Sequence, residues 1–551
     1  MNRRQQALRL SKLRERWSLL RERDHDMHAI GRYHRAPGTR TASSATMDDR
    51  TWADLNMDDV FAVLDRTESV VGQQVLYARL RDSPNGRHTQ TFEALVTHLH
   101  DNIHTREAVQ LALMPLTDPA GYDLIDLAAA DALEIRAWHA VFPALASTMV
   151  ATVVVFLFYP IAILAIAAGC VISLALRSTA ANGLRTVTGA FRQVGPLVAA
   201  ADALNQLALP GAAILATLRA DVRNLARLRR IAAWAGRDGT AAASGNIAAL
   251  LFEYLNLLFC LDANALFFGA RELRARAETL TRVIGAVGDV DAAVSIASYR
   301  AGTKGWTRPV IGPAGTTLRL SGVRHPLLPE AVGNSVSLGP PHGAVITGSN
   351  MSGKTTFLRT VGVTTAMAQT INTCIAESYE GPTFVVRSCI GRDDDPASGR
   401  SYYMVEVESV LALVHASRTP APHLMLFDEL FRGTNAVERI AAGEAVLSAL
   451  LAPDAAGRPA PHVVLAATHD QELVDLLADT YAPFHFTDTM DRDGLAFDYR
   501  LLPGPATTRN AIALLGLRGA PVELVARAME RARELDAQRG REPLYSRSTL
   551  S

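Results

Sequence analysis

Eight consecutive residues of this 551-residue chain have the types and spacing that hold a nucleotide phosphate. They form a complete G-x-x-x-x-G-K-[ST] match, here called the cradle: Gly348, Ser349, Asn350, Met351, Ser352, Gly353, Lys354 and Thr355. The glycines permit a tight turn in which successive backbone N–H groups point at phosphate oxygens. Lys354 is expected to reach the β- and γ-phosphates, and the Thr355 hydroxyl to ligate Mg²⁺. Thr356 is expected to complete the binding segment.

Two carboxylates follow an apolar run, and the first of them lies 74 residues after Lys354. Asp428 and Glu429 come directly after Leu424–Phe427. An acidic pair at the end of a buried strand is costly without a cation, so Asp428 is predicted to hold Mg²⁺ and Glu429 to polarise the attacking water. A later apolar run, 463–467, is followed by Thr468 and His469, and His469 is predicted to sense the γ-phosphate or the lytic water.

A third segment lies between these motifs. Ser401 follows an Asp-rich and Gly-rich stretch and is predicted to cap a helix whose apolar face is Met404, Val407, Leu411 and Val414. The start of such a helix offers free N–H groups to an anion. If a second copy of the chain presents it to the γ-phosphate, the active site is completed across a dimer. The alternative is a surface loop followed by a packed helix.

The elements that must position these residues alternate between strand and helix. Strands are predicted at 344–346, 384–386, 424–427 and 463–466, and a helix at 354–370. This alternation indicates a layered α/β domain with a largely parallel sheet. Ligands of such sheets gather at the carboxyl ends of the strands, which is where each motif lies.

The chain upstream of about residue 305 has helical periodicity, interrupted by an apolar segment. No Asp, Glu, Lys or Arg occurs between Arg136 and Arg177, and Tyr159-Pro160 divides this segment into two lengths of about 20 residues, close to what a helix needs to cross a bilayer. The segment predicts a membrane hairpin at 137–176. The flanking arginines would place both of its ends, and the domain with the cradle, in the cytoplasm at the inner membrane. The alternative is a buried helical pair.

Bulk composition adds two constraints. The formal net charge is zero, so binding to nucleic acid or an anionic surface needs a local patch. Residues 1–40 supply one, with eleven Lys or Arg against four acidic residues, and predict either a solvated basic helix or an arm that binds nucleic acid or membrane. The four cysteines include no C-x-x-C pair, which is typical of a reducing compartment and argues against a zinc site.

Taken together, the motifs resemble the ATPase domain of the MutS family of DNA mismatch repair proteins. The matching segments are residues 347–356, 395–406, 428–434 and 467–469, with weaker matches at 58–67 and 288–297. The resemblance implies an ABC-type P-loop ATPase that binds ATP and Mg²⁺ in a homodimer, with Ser401 acting in trans on the partner's nucleotide. It also implies DNA as a partner. The implied fold is an α/β ATPase domain preceded by an all-α helical core, which the apolar hairpin interrupts.

The resulting domain assignment has six parts: 1–50, basic arm and linker; 51–136, first part of the helical core; 137–176, hairpin; 177–305, second part of the core; 306–530, ATPase domain with dimerisation helices; and 531–551, polar tail. The first 55 residues leave no room for the family's mismatch-reading domain, and residues 334–338 lack the aromatic that the family places near adenine. The leading hypothesis is a membrane-anchored ATPase that changes the geometry of its helical arms. The alternatives are a DNA-binding repair or recombination factor with the hairpin buried, and an ABC-like transport ATPase.

Overall fold

The computed structural model describes residues 3–39, 46–82, 86–128, 137–210, 215–233, 247–349, 351–391, 402–454, 456–491, 494–506, 512, 515–516 and 519–538. The chain separates into two compact units. The first consists of Met1–Ala42, Leu64–Leu80 and Pro84–Thr303, and the second of Ser43–Val63, Arg81–Ser83 and Lys304–Ser551. Residues 43–63 thus group with the second unit and not with the remainder of 51–136.

Up to residue 303 the described chain forms helices and short 3₁₀ turns. The α-helices are α1 Arg3–Arg16, α2 Met27–Ile30, α3 Arg32–Arg35, α4 Asp49–Asp54, α5 Met57–Leu64, α6 Val70–Arg81, α7 Gly86–Asp101, α8 Ile103–Leu113, α9 Val141–Phe156, α10 Ile163–Asn205, α11 Leu218–Asn224, α12 Ala226–Ala232, α13 Ile247–Phe259 and α14 Leu261–Gly302. The first unit is organised around α14, which packs against α7, α10, α11 and α12. Its buried side chains recur at helical spacing, for example Leu280, Ile284 and Val287.

The basic N-terminal segment consists of a largely exposed helix and a following stretch held by ion pairs. Helix α1, Arg3–Arg16, is exposed at most positions, as in the predicted solvated basic helix, and further ion pairs lie in the chain beyond it. Arg21 pairs with the buried carboxylate of Glu68, and His25 Nε2 lies 3.0 Å from Asp65 Oδ2. Arg23 also pairs with Asp65, at 3.3 Å. Much of the basic charge in this segment is therefore used within the chain.

The membrane hairpin predicted at 137–176 is wrong. No helix in the described part of the chain is long and apolar enough to cross a membrane. Helix α9 has 16 residues, and the apolar part of α10 runs only from residue 163 to 176, so the two arms rise about 24 Å and 21 Å against a hydrocarbon core of roughly 30 Å. The arms pack on each other, because Met149 Sδ approaches Gly169 so closely that a Cβ there would lie 2.2 Å away. The predicted inner-membrane location, which was inferred from the hairpin, is therefore wrong as well.

The second unit contains the sheets. Its strands are β1 Trp306–Thr307, β2 Val310–Gly312, β3 Leu318–Val323, β4 Asn334–Leu338, β5 Gly343–Thr347, β6 Cys374–Ile375, β7 Ser378–Pro382, β8 Val385–Ile390, β9 His423–Asp428, β10 Val463–Ala467, β11 Tyr481–Asp491 and β12 Gly494–Pro503. Its later helices are α15 Lys354–Ile371, α16 Tyr402–Ala416, α17 Ala436–Leu451, α18 Gln471–Leu476 and α19 Val522–Gln538.

The main sheet has six strands in the order β12-β11-β5-β10-β9-β8. Its five strands from β11 to β8 are parallel, and only β12 is antiparallel to its neighbour. Strands β5 and β10 are buried at every position, as parallel strands are when helices cover both faces of a sheet. Alternate residues such as Met425 and Phe427 pack toward α16, α17 and α18, whereas Leu426 lies against Gly362 of α15.

This arrangement confirms the predicted helical region followed by an α/β domain with a largely parallel sheet. The predicted strands correspond to β5, β8, β9 and β10, and the predicted helix 354–370 corresponds to α15. Because β5, β9 and β10 are parallel neighbours, residues 348, 428 and 468 emerge at the same edge of the sheet.

Asp65 provides a test of the first unit. Burial alone would raise its pKa, but hydrogen bonds from His25, Gln73 and Thr67 and the charge of Arg23 outweigh burial and lower the pKa from 3.8 to about 2. The stabilisation is therefore complete above a pH of about 4 and is lost as the pH falls through about 2. Replacing Asp65 with Asn (D65N) should lower the free energy of unfolding by about 2 to 3 kcal/mol at pH 7.

Urea titrations followed by circular dichroism measure this difference, which should shrink as the pH falls from about 4 to 2. Asp202→Asn, at an exposed position of α10 in the same unit, serves as the matched control and should leave the urea midpoint unchanged. A difference for Asp65→Asn that stays constant over this pH range would show that the ion pairs do not stabilise the unit.

Candidate functional site

The cradle follows β5 and is closed by its own lysine. Gly348 and Gly353 have φ angles of +146° and +109°, which side chains other than glycine rarely adopt. Lys354 Nζ donates to the carbonyl oxygens of Gly348 and Ser349, each at 2.9 Å. The buried hydroxyls of Ser349 and Ser352 have no hydrogen-bond partner among the described residues. The loop thus gathers a cation and two hydroxyl donors at the start of α15, where an anion is favoured.

Asp428, at the end of β9, faces the cradle. Its Oδ2 accepts a hydrogen bond of 2.7 Å from Thr355 Oγ1, and its buried Oδ1 has no partner among the described residues. Burial raises the pKa of this carboxyl, against the lowering effect of the Thr355 hydrogen bond. A hydroxyl beside a partly unsatisfied buried carboxylate fits Mg²⁺, a hard cation that takes oxygen ligands.

The remaining ligands of such an ion need not come from the protein. Among the described residues, no group of three or more His, Cys, Asp or Glu side chains is placed to hold a metal ion. Magnesium bound with a nucleotide commonly uses one or two protein oxygens and completes its shell with phosphate oxygens and water. Thr355 and Asp428 match that pattern, so the site fits a nucleotide-bound Mg²⁺ better than a metal held by the protein alone.

Glu429 is held in place from both sides. His469 Nε2 lies 2.8 Å from its Oε1, Arg432 pairs with its Oε2, and its backbone N–H donates to Ala467 O at 2.9 Å. Burial would raise the pKa of Glu429, but the hydrogen bonds from His469 and Arg432 outweigh it and lower the pKa to about 2. Glu429 is therefore ionised at neutral pH and can accept a hydrogen bond from a water molecule.

His469 joins the carboxylate to the cradle. Its Nε2 is 3.3 Å from Lys354 Nζ as well as 2.8 Å from Glu429 Oε1. The loop that carries His469 is anchored on both sides, because Thr468 N donates to Ile346 O and Arg439 binds Asp470 through two hydrogen bonds of 2.7 Å. Lys354, His469 and Glu429, the groups predicted to contact a phosphate or a water, thus form one connected cluster.

A cavity of about 660 Å³ adjoins the cradle. Phe357, Phe486 and Tyr499 contribute aromatic side chains, and Leu328 and Val332 contribute aliphatic ones. Gly353 and Thr356 form the wall shared with the cradle. Its volume is typical of a small-molecule site, and its apolar walls suit a flat aromatic ring.

The structure brings most of the predicted site residues together. Lys354, Thr355, Asp428, Glu429 and His469 lie in one cluster, and Thr356 lines the adjoining cavity. Met351 is 83% exposed at the rim of the cradle. Asn350 and Ser401 lie outside the described residues, so their predicted roles stay predictions.

The face predicted for the helix after Ser401 is wrong in part. Helix α16 buries Glu406, Val410 and Leu413, whereas Met404 and Leu411 are 53% and 48% exposed. The spacing of the apolar residues is compatible with burial of either face of α16. Contact with the sheet buries the face that carries Glu406.

Three residues of the site were not predicted. Arg432 pairs with Glu429, Glu406 accepts a 2.5 Å hydrogen bond from the backbone N–H of Phe431, and Tyr499 lines the cavity from a strand far along the chain. The signal for Arg432 was its position three residues after Glu429. A buried glutamate within a mostly apolar helix was the signal for Glu406.

Comparison with known proteins identifies a family domain in the second unit. Residues 344–536 match the model of MutS domain V. The chain is 35% identical over 277 residues to DNA mismatch repair protein MutS 2 of Halobacterium salinarum, which covers 48% of this chain and 30% of that protein. It is 34% identical over 268 residues to MutS of Thermus thermophilus (48% and 31%), and 32% identical over 281 residues to MutS of Streptococcus equi subsp. equi (48% and 32%). The chain thus matches about a third of the length of these relatives.

Replacing Gly348 with Ala (G348A) tests the cradle. At φ +146°, the added Cβ would lie 2.8 Å from Ser352 Oγ and 3.0 Å from the carbonyl oxygen of Phe486, so the loop must shift. We expect binding of a fluorescent ATP analogue to weaken by at least about tenfold, or roughly 1.4 kcal/mol. Gly195→Ala is the control, because a Cβ at that helical position meets no atom within 4 Å. Equal affinities for the two variants would count against the cradle as the phosphate site.

Proposed function

We propose that this chain is a member of the MutS family that binds and hydrolyses ATP with Mg²⁺, as a homodimer. The observation that carries the proposal is the single cluster in which Lys354, Thr355, Asp428, Glu429 and His469 meet at one edge of a parallel sheet. The match to MutS domain V and the identity to MutS proteins support the family.

In the proposed mechanism, the cradle binds the triphosphate. Lys354 exchanges its hydrogen bonds to Gly348 and Ser349 for phosphate oxygens, and the hydroxyls of Ser349 and Ser352 supply further donors. Thr355 and Asp428 would hold Mg²⁺, which neutralises charge on the phosphates. The adenine is assigned to the cavity beside Gly353, with Phe486 and Tyr499 as its aromatic walls.

Glu429 acts on the attacking water. An ionised carboxylate orients a water molecule by accepting its hydrogen bond. It takes up the proton as the water oxygen bonds to the γ-phosphorus and the bond from that phosphorus to the departing ADP oxygen breaks. With a pKa of about 2, Glu429 is ionised at neutral pH and is available to accept both the hydrogen bond and the proton. His469 fixes the position of Oε1, and it also lies close enough to Lys354 to respond to a phosphate bound there.

One observation supports a second copy of the chain at this edge of the sheet. Apolar side chains are exposed on three elements there: Met351 in the cradle, Met404 in α16 and Val437 in α17, which are 83%, 53% and 78% exposed. Ser401, which precedes α16 in the sequence, is the residue proposed to act in trans on the partner's γ-phosphate. Binding and release of nucleotide would then open and close the dimer and move the helical unit.

DNA is proposed as the macromolecular partner because the similar proteins are DNA mismatch repair proteins. The proposed role is an ATPase related to mismatch repair, in which hydrolysis controls the geometry of the helices that precede the ATPase domain. The proposal assigns no mismatch-reading activity to this chain.

Replacing Glu429 with Gln (E429Q) tests the hydrolytic assignment. The amide keeps the shape of the side chain but cannot accept a proton, so ATP affinity should stay within about twofold while turnover falls by roughly 10² or more. Steady-state phosphate release and equilibrium binding of ATP measure the two effects. Glu444→Gln, in α17 and hydrogen-bonded to Ser448, is the control and should match the wild type. Unchanged turnover in Glu429→Gln would remove Glu429 from this role.

Mixing two inactive variants tests whether the site is shared. Ser401→Ala and Lys354→Ala should each be inactive as purified dimers. In an equal mixture, half of the dimers contain one chain of each kind and one intact composite site, so activity should return to about a quarter of the wild-type value per chain. A mixture no more active than either parent would contradict a site shared between subunits.

A further inference from the structure

Glu406 is a buried carboxylate that the proposed mechanism does not use. It lies in α16 and is 6% exposed. Its Oε1 accepts a hydrogen bond of 2.5 Å from the backbone N–H of Phe431, and its Oε2 has no partner among the described residues. Burial raises the pKa of this side chain. An ionisable group in such a position is costly, and an apolar residue would fill the same space without that cost.

The loop that Glu406 holds is the one that carries Glu429. Two residues of this loop, Glu429 and Phe431, have φ angles of +53° and +59°. The left-handed region is unfavourable for side chains other than glycine, so the surroundings must hold the loop in this conformation. The Glu406 bond to Phe431 and the Ala467 bond to Glu429 N provide two such restraints, one on each side of Leu430.

Helix α16 is attached to the same loop by a second contact. The Tyr403 ring lies 6.4 Å from the Phe431 ring, and a Cβ at Gly433 would be 3.5 Å from the Tyr403 side chain. Tyr402 and Glu406 are one helical turn apart, so the restraint is close to the beginning of the helix. In the proposed dimer, this beginning faces the nucleotide of the partner, whereas the loop faces the nucleotide of the same chain.

We propose that Glu406 is a positioning residue that couples the two ATP sites of the dimer, by fixing the start of α16 to the loop that carries Glu429. The proposal rests on the composite site described above. A displacement of α16 by the partner's nucleotide is transmitted through the bond to Phe431 N and changes the orientation of Glu429. Loss of this bond therefore impairs two sites: the one in the same chain, through the loop, and the one in the partner, through the helix.

The first measurement separates positioning from folding and binding. Glu406→Ala should retain ATP affinity and a cooperative thermal transition, because it does not touch the cradle, but its kcat should fall at least tenfold. Glu406→Gln keeps a carbonyl oxygen that can accept from Phe431 N, and its kcat should return to within about threefold of the wild type. Glu408→Ala is the matched control, since Glu408 lies two residues further along α16 and is exposed.

The decisive measurement uses mixed dimers, with wild type plus Lys354→Ala as the reference. In a mixture of Glu406→Ala and Lys354→Ala chains, the one working cradle is in the chain that lacks Glu406. In a mixture of wild type with the double variant Glu406→Ala/Lys354→Ala, the working cradle is in the wild-type chain and only the partner's helix lacks Glu406. The mixed dimers are purified through a different affinity tag on each chain, so that homodimers do not contribute to the measurement. Coupling predicts that hydrolysis by the purified mixed dimers falls at least threefold below the reference in both cases.

Two outcomes overturn the proposal. If ATP hydrolysis falls only in the first mixture, Glu406 acts only on the loop of its own chain. If hydrolysis equals the reference in both mixtures, Glu406 has no positioning role. If Glu406→Ala does not fold, Glu406→Leu replaces it with the same expectations, because leucine fills the buried space and cannot accept the bond. Failure of the proposed function is seen separately, as a reference mixture without ATP hydrolysis.

Discussion

The burial of one carboxylate at the end of a central strand is the constraint on which the site depends. Asp428 lies at the end of β9. One of its oxygens accepts a hydrogen bond from the Thr355 hydroxyl, and the other has no hydrogen-bond partner among the described residues. Such a group is costly in a protein interior unless a cation or several donors approach it. The parallel register of β5, β9 and β10 brings the cradle, with its lysine and its hydroxyls, directly opposite this carboxylate.

The neighbouring groups follow from that placement. Glu429 is turned toward His469 by a backbone conformation that is unfavourable for glutamate. Two hydrogen bonds on either side of Leu430, from Glu429 N to Ala467 O and from Phe431 N to Glu406, hold that conformation. His469 in turn lies between Glu429 and Lys354. The cluster is therefore connected from Lys354 to the first turns of α16, so a displacement at one end can be transmitted to the other through a few contacts.

The sequence allowed prediction of the parts of the fold that local patterns determine. Short apolar runs ending in polar residues located β5, β9 and β10, and the glycine spacing located the cradle, because backbone geometry restricts both strongly. The prediction of a membrane hairpin at 137–176 was wrong because composition gives the hydrophobicity of a segment but not the ends of its helices. Helix α9 ends at Phe156 and is too short to cross a membrane. The role of Glu406 and the pairing of Arg23 and His25 with Asp65 depend on contacts between distant parts of the chain, which periodicity does not encode.

The central claim is that ATP is hydrolysed at a site completed by a second copy of the chain. Steady-state ATP hydrolysis per chain, measured with Mg²⁺ over a range of protein concentrations alongside sedimentation velocity in the same buffer, tests it most directly. The account predicts that activity per chain rises with concentration and reaches a plateau as the dimer forms. Activity per chain that is already maximal where the protein sediments as a monomer would contradict it.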